Sequence, residues 1–198
     1  ILFIGEFNDF FFDILKNRLE IVFDSFFYNI FNLGEFSFSQ EIFYSGIKEE
    51  YNQLVHPPKL TQLHPTKKFY DILLKISKKL NIQMVLALTN LPIYSSYEKN
   101  LIFPFGEAHL KFNCCIVSTL NLEKERSNMS CLNSLFLKRI QKETIHEIGH
   151  LLLGYEHCAE SECAMRFSKN LKEIDQKSFI LCQKCNLKLK ILRNRYNF

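Results

Sequence analysis

The 198-residue sequence contains no tryptophan, no internal repeat and no low-complexity segment. It also lacks any run of about 18 apolar residues, so we expect no membrane span. The formal net charge of +4 is too small to indicate a nucleic-acid partner, and the basic residues near the C-terminus are typical of a solvated helix end. Phenylalanine occurs 20 times, and the core therefore depends heavily on phenyl rings.

The most informative segment of the chain is His146-Glu147-Ile148-Gly149-His150. On a helix, His146 and His150 point in nearly the same direction, one turn apart, and can bind one Zn²⁺ from the same side. Glu147 points to one side, where it can take a proton from a metal-bound water without binding the metal. The spacing therefore predicts a catalytic zinc site with Glu147 as the general base.

A third ligand is available just beyond this helix. Gly154 allows the chain to leave the helix through a left-handed turn, and His157 follows three residues later. Three protein ligands leave the fourth zinc position open, which is typical of catalytic zinc rather than structural zinc.

The cysteines predict a second zinc site. Four of the seven fall into two close pairs, which is the usual composition of a closed tetrahedral site: Cys158, Cys163, Cys182 and Cys185. The alternative is a set of buried free thiols, which is our expectation for the remaining Cys114, Cys115 and Cys131. Because this usage favours metal over disulfides, we expect a reducing compartment, the cytoplasm.

These motifs together resemble the archaemetzincins, a branch of the metzincin metallopeptidases. The similarity rests on the histidine motif, the cysteine pairs, and the segments Phe105–Ala108 and Cys115–Thr119 before the predicted active-site helix. It covers roughly residues 86–185, and residues 1–80 agree only in general pattern. The resemblance implies a metzincin fold, a catalytic zinc, a nearby structural zinc on the four cysteines, and a turn methionine, Met165, under the catalytic metal.

One feature departs from the family's HExxHxxGxxH spacing. Three leucines separate His150 from Gly154, so there is one extra residue, Leu153. If the family spacing is counted strictly from His150, the third ligand position falls on Glu156, and a carboxylate can bind zinc. We favour His157, with the extra residue absorbed by a π-bulge or a displaced helix exit. On that interpretation, deleting Leu153 leaves zinc affinity unchanged or improved.

Hydrophobic periodicity predicts helices at Asp9–Phe23, Thr66–Leu80 and Leu135–Leu153. Strands are predicted at Ile1–Gly5, Phe36–Tyr44, Ile82–Leu88 and Lys111–Leu120, and His56 and His64 are expected to be exposed in a loop. Alternating strands and helices favour an α/β (α+β, metzincin-like) fold with a mixed twisted sheet. We expect a single domain, 1–198, with an upper part (1–154) and a small lower part (155–198) stabilised by the cysteine zinc.

The sequence therefore predicts a monomeric zinc metallopeptidase with two Zn²⁺ ions and a peptide or protein substrate. The substrate is expected to extend along the exposed edge of a strand near Phe112–Thr119. The alternative is a catalytically weak or inactive relative that binds a peptide or protein. The extra Leu153 favours that alternative, and the retained Glu147 argues against it.

Overall fold

The computed structural model describes residues 1–24, 26–36, 63–97, 104–123 and 134–196. Its main sheet has five strands in the order β2-β1-β4-β7-β6. These strands are β1 (Leu2–Ile4), β2 (Glu35–Phe36), β4 (Val85–Thr89), β6 (Gly106–His109) and β7 (Cys114–Ser118). All neighbours are parallel except β6, which pairs antiparallel with β7. A two-stranded parallel sheet joins β3 (His64–Pro65) to β5 (Ile93–Tyr94).

Five α-helices lie within the described residues: α1 (Phe10–Val22), α2 (Thr66–Leu80), α3 (Ser134–Leu153), α4 (Leu171–Gln176) and α5 (Gln183–Tyr196). None of these helices is long and apolar enough to cross a membrane. The mixed α/β architecture confirms the predicted fold class. Helix α2 has its predicted bounds, and α1 and α3 differ from theirs by one residue at one or both ends.

The two faces of the sheet build two apolar clusters, because successive side chains of a strand point to opposite faces. Phe3, Leu86 and Val117 pack with α1 and α3 on one face. Ile4, Ala87 and Ile116 pack with α2 on the other. Burial on both faces is typical of parallel strands between helices. Cys114 and Cys115 are both buried free thiols, as expected, whereas Cys131 lies outside the described residues.

Side chains from the C-terminal part join the cluster beneath α1 and α3, and they include Cys163, Met165, Ile174, Leu181 and Leu189. The cysteine-rich segment is therefore packed against the same core as the sheet. This packing brings the two sets of candidate metal ligands close to one helix, α3.

Helix α3 is buried on all sides from Arg139 to His150. Contacts with α4 account for two of the buried charges. Arg139 makes two hydrogen bonds to the Asp175 carboxylate, at 2.7 and 2.6 Å. The Lys142 ammonium donates to the carbonyls of Ile174 and Asp175 at the end of α4, where the helix dipole favours a cation.

The sheet edge, His64 and the strand at Phe36 differ from the sequence predictions or are described only in part. The exposed sheet edge was expected near Phe112–Thr119, but β7 lies between β4 and β6, so the edge on this side of the described sheet is β6, and β2 forms the opposite edge. His64 was expected to be exposed, yet it is buried in β3. Of the predicted strand Phe36–Tyr44, only Phe36 is described, as the last residue of β2. Residues 37–44 and His56 lie outside the described residues.

Candidate metal centre

Two imidazoles meet on α3 where the sequence predicts them. His146 and His150 are both buried, and their Nε2 atoms lie 3.1 Å apart. Two ligands at 2.0–2.1 Å from one tetrahedral zinc would be separated by about 3.3 Å. The observed separation is close to that value, so the pair fits a single zinc ion without a change in the helix.

Backbone carbonyls orient both rings. His146 Nδ1 lies 2.9 Å from the Ala164 carbonyl oxygen, and His150 Nδ1 lies 2.9 Å from the Gly154 carbonyl oxygen. A carbonyl only accepts hydrogen bonds, so each Nδ1 carries the proton and each Nε2 presents a lone pair. Metal-binding histidines are commonly held in this tautomer by such a contact.

The extra Leu153 does not produce a π-bulge. The helix stays α-helical to its end, since the Gly154 amide donates to the His150 carbonyl at 2.9 Å. Gly154 then turns the chain with φ +93°, a value that side chains other than glycine resist. The added residue is thus absorbed by a displaced exit of the chain from the helix.

His157 joins the two helical histidines after this exit. Its ring centroid lies 5.2 Å from that of His146 and 4.8 Å from that of His150. One ligand atom from each of the three rings lies within 4.8 Å of the others. Glu156, the alternative third ligand, is 87 % exposed and instead lies 3.5 Å from the Lys188 ammonium.

The histidines are electrostatically suited to bind a cation. Burial lowers the pKa of His146 well below its ordinary value, and Lys177 and His150 lower it further. Burial also lowers the pKa of His150. His157 is exposed on its outer side, and its partial burial, followed by His150 and Lys177, lowers its pKa to about 4. All three rings are therefore neutral near pH 7, the form that binds metal.

Glu147 lies beside this cluster without belonging to it. Burial raises the pKa of its carboxyl group well above the ordinary value, Glu143 and Glu107 raise it further, and Lys177 opposes the rise. A carboxylate with a raised pKa holds a proton more readily, which suits a general base. Gly106 of β6 packs directly against it, since a Cβ there would lie 2.6 Å from Glu147 Cγ.

The four cysteines converge as a second set. The Sγ–Sγ distance is 3.6 Å between Cys158 and Cys182 and 3.8 Å between Cys163 and Cys185. Four thiolates at 2.3 Å from a tetrahedral zinc would be separated by about 3.8 Å, so this geometry also fits. Burial opposes ionisation of Cys182, but hydrogen bonds from the Cys185 backbone and from the neighbouring thiols lower its pKa to about 7.

Met165 lies between the two sets. It is buried, and its thioether packs against Gly149, the residue that precedes His150 on α3. Its carbonyl accepts a hydrogen bond from the Cys158 amide at 2.9 Å. The Met165 side chain thus packs against the helix that carries His146 and His150.

Sequence reasoning missed a buried ion pair near the site. Lys177, which is fully buried, lies 2.7 Å from Glu143, one turn before Glu147 on α3. No pattern in the sequence distinguishes Lys177 from the solvated lysines around it. The role of Gly106 was also missed, because a close contact between a strand and a distant helix leaves no local signal.

The comparisons with known proteins agree with this geometry. The family model for peptidase family M54 matches residues 58–191. An archaemetzincin from Pyrococcus abyssi is 36% identical over 121 residues, which cover 61% of this chain and 62% of that protein. An archaemetzincin from Aeropyrum pernix is 46% identical over 87 residues, 44% of each chain. The matched part of the chain thus spans about three fifths of the Pyrococcus abyssi protein and less than half of the Aeropyrum pernix protein.

Solved structures show the same fold over nearly the whole chain. A zinc-dependent peptidase from Methanocorpusculum labreanum superposes with a TM-score of 0.70 at 24% identity, covering 95% of this chain and 98% of that one. An archaemetzincin from Archaeoglobus fulgidus, solved as a complex with malonate, gives 0.67 at 24% identity, covering 94% and 97%. The fold is therefore that of the archaemetzincins, and since the family model matches more than half of its residues, the chain belongs to peptidase family M54.

Proposed function

We propose that this chain is a zinc-dependent peptidase whose catalytic metal is held by His146, His150 and His157, with Glu147 as general base. The observation that carries the proposal is the convergence of three neutral imidazoles beside a buried carboxylate that is not in the ligand set. A protein that only retained metal would have no use for a base at that position, so the inactive alternative is not favoured.

His146, His150 and His157 would hold the zinc ion, which would supply Lewis acidity toward a water molecule and a carbonyl oxygen. The protein's own groups then move the proton. The Glu147 carboxylate takes a proton from the attacking water and later gives it to the leaving amine. Its burial and the close packing of Gly106 restrict the positions of the carboxylate, which keeps it oriented for both transfers.

We place the peptide substrate along β6 rather than β7. Strand β6 is one of the two edge strands of the described sheet, and it is the one that carries Gly106 next to Glu147. An extended peptide can add to such an edge through backbone hydrogen bonds. This position would bring the scissile carbonyl to the base and to the histidine set.

The second proposed zinc ion binds Cys158, Cys163, Cys182 and Cys185, which makes two zinc ions per chain. A closed thiolate site contributes folding free energy, and the lower part (155–198) would depend on it more than the upper part (1–154). We further propose a cytoplasmic location, because the thiolates must stay reduced. The proposal includes a monomer with a peptide or protein substrate and no nucleic-acid partner.

Hydrolysis of a quenched fluorescent peptide library by the zinc-loaded protein tests this function. We expect Glu147→Ala to retain zinc and to lose activity by about 10²–10⁴-fold. Glu147→Gln is the matched isosteric control for packing, and it should be equally inactive. A wild-type protein that binds peptides but cleaves none, with zinc present, would support the binding-module alternative instead.

A further inference from the structure

We infer that the two ligand sets are coupled, so that filling the cysteine set tightens zinc binding at the histidine set. This inference rests on the proposed zinc sites. The segment 157–166, which we call the connecting segment, carries parts of both sets. It provides the third histidine, two of the four cysteines, the carbonyl that orients His146, and Met165.

The first connection is covalent. His157 of one set and Cys158 of the other are consecutive residues. The Cys158 amide also donates to the Met165 carbonyl at 2.9 Å, which closes the connecting segment into a loop. Fixing the Cys158 thiolate in a metal site therefore restricts the position of the His157 ring.

The second connection is a hydrogen bond. The Ala164 carbonyl, 2.9 Å from His146 Nδ1, belongs to the residue that follows Cys163. The Ala164 amide donates to the Ile180 carbonyl at 3.0 Å, and the Cys182 amide lies 3.3 Å from Cys163 Sγ. These two hydrogen bonds join the segment that carries Cys163 and Ala164 to the segment that carries Cys182. They therefore fix the position of the Ala164 carbonyl, which sets the tautomer of His146.

The helical histidines and the connecting segment differ in how much their positions depend on bound metal. His146 and His150 are fixed by α3, which is buried on all sides at that level. Within the connecting segment, by contrast, residues 159–162 are exposed. These residues and the exposed His157 can open locally at low cost, whereas Cys163, Ala164 and Met165 at the end of the segment are buried in the core. Metal at the cysteines would supply the missing order, and that ordering free energy is the physical source of the coupling.

Chelator-competition titrations of the full chain test the coupling, with cobalt–thiolate absorption used to report filling of the cysteine set. Cys182→Ser disrupts the cysteine set without altering any histidine. We expect zinc affinity at the histidine set to fall about tenfold or more in this variant, within the 5–150-fold range of typical coupling. Cys114→Ser is the matched control, because Cys114 is a buried thiol on the opposite face of the sheet, and it should leave the affinity unchanged.

Reciprocity supplies an independent arm if Cys182→Ser fails to fold. Coupling between two binding sites is the same in both directions, so His150→Ala should weaken metal binding at the cysteine set by the same factor. Unchanged affinity in either arm would overturn the coupling and leave the proposed function intact. A wild-type protein with no zinc at the histidines would overturn the proposed function itself, and the coupling with it.

Discussion

Gly149 of α3 and Met165 are in such close contact that a Cβ at Gly149 would overlap the Met165 Sδ and lie 3.1 Å from its Cε. The glycine thus makes room for the methionine directly beneath the turn that carries His146 and His150. Glycine in a helix interior is normally unfavourable, by about 1 kcal/mol relative to alanine. Its presence here is explained by this contact.

Gly149→Ala should therefore destabilise the protein by roughly 1–3 kcal/mol through overpacking, despite its better helix propensity. In a Met165→Ala background, which removes the thioether, the same change should be neutral or stabilising. Denaturant unfolding of the four proteins measures both effects. An increase in stability for Gly149→Ala alone would show that the close contact is not maintained.

The extra residue Leu153 gives a second prediction. The Gly154 carbonyl orients His150 at the observed spacing, and deleting Leu153 would rotate the helix exit by about 100°. The deletion should therefore weaken zinc binding at the histidines, in contrast to the expectation from family spacing alone. Leu153→Ala, which keeps the length, is the matched control. Equal zinc affinities for the deletion variant and the wild type would support the family register.

The buried Lys177–Glu143 ion pair gives a third prediction. Lys177 is fully buried and Glu143 is 5 % exposed, and removing one partner of a buried pair typically costs about 3–5 kcal/mol. Lys177→Met and Glu143→Leu should each destabilise the protein by an amount of that order. The double variant should be far less destabilised than the sum of the two. Additive losses in a double-mutant cycle would show that the two charges do not depend on each other.

Much of this structure follows from short-range patterns in the sequence. The periodicity of residues 66–80 gives α2 with its observed bounds, and the cysteine spacing anticipates a cluster that forms across 28 residues of chain, from Cys158 to Cys185. These features depend on local geometry or on residue types with few alternative uses. Long-range contacts account for what was wrong or missed. The edge position of β6 depends on an antiparallel pairing, and the burial of Arg139 and Lys142 on α3 depends on their contacts with α4.

Acidification of the protein whose histidine set holds no metal, with the cysteine set filled, provides a fourth prediction. The folded-state pKa of His157 is about 4, below its ordinary 6.5, so the unfolded chain binds more protons between these values. Stability should therefore fall as pH is lowered from about 6.5 to 4. His157→Gln should show a shallower fall, because it removes one of the histidines responsible. Parallel slopes in urea unfolding for the two proteins would contradict the lowered pKa.

Native mass spectrometry of the protein, prepared without chelator, most directly tests the assignment of two separate zinc sites. The wild type should carry two zinc ions per chain, held by the histidine and cysteine sets. His146→Ala and Cys182→Ser should each carry only one, and the cysteine variant should have the lower thermal midpoint because its site contributes folding free energy. A wild-type mass with one zinc or none, or a histidine variant that still binds two, would contradict this assignment.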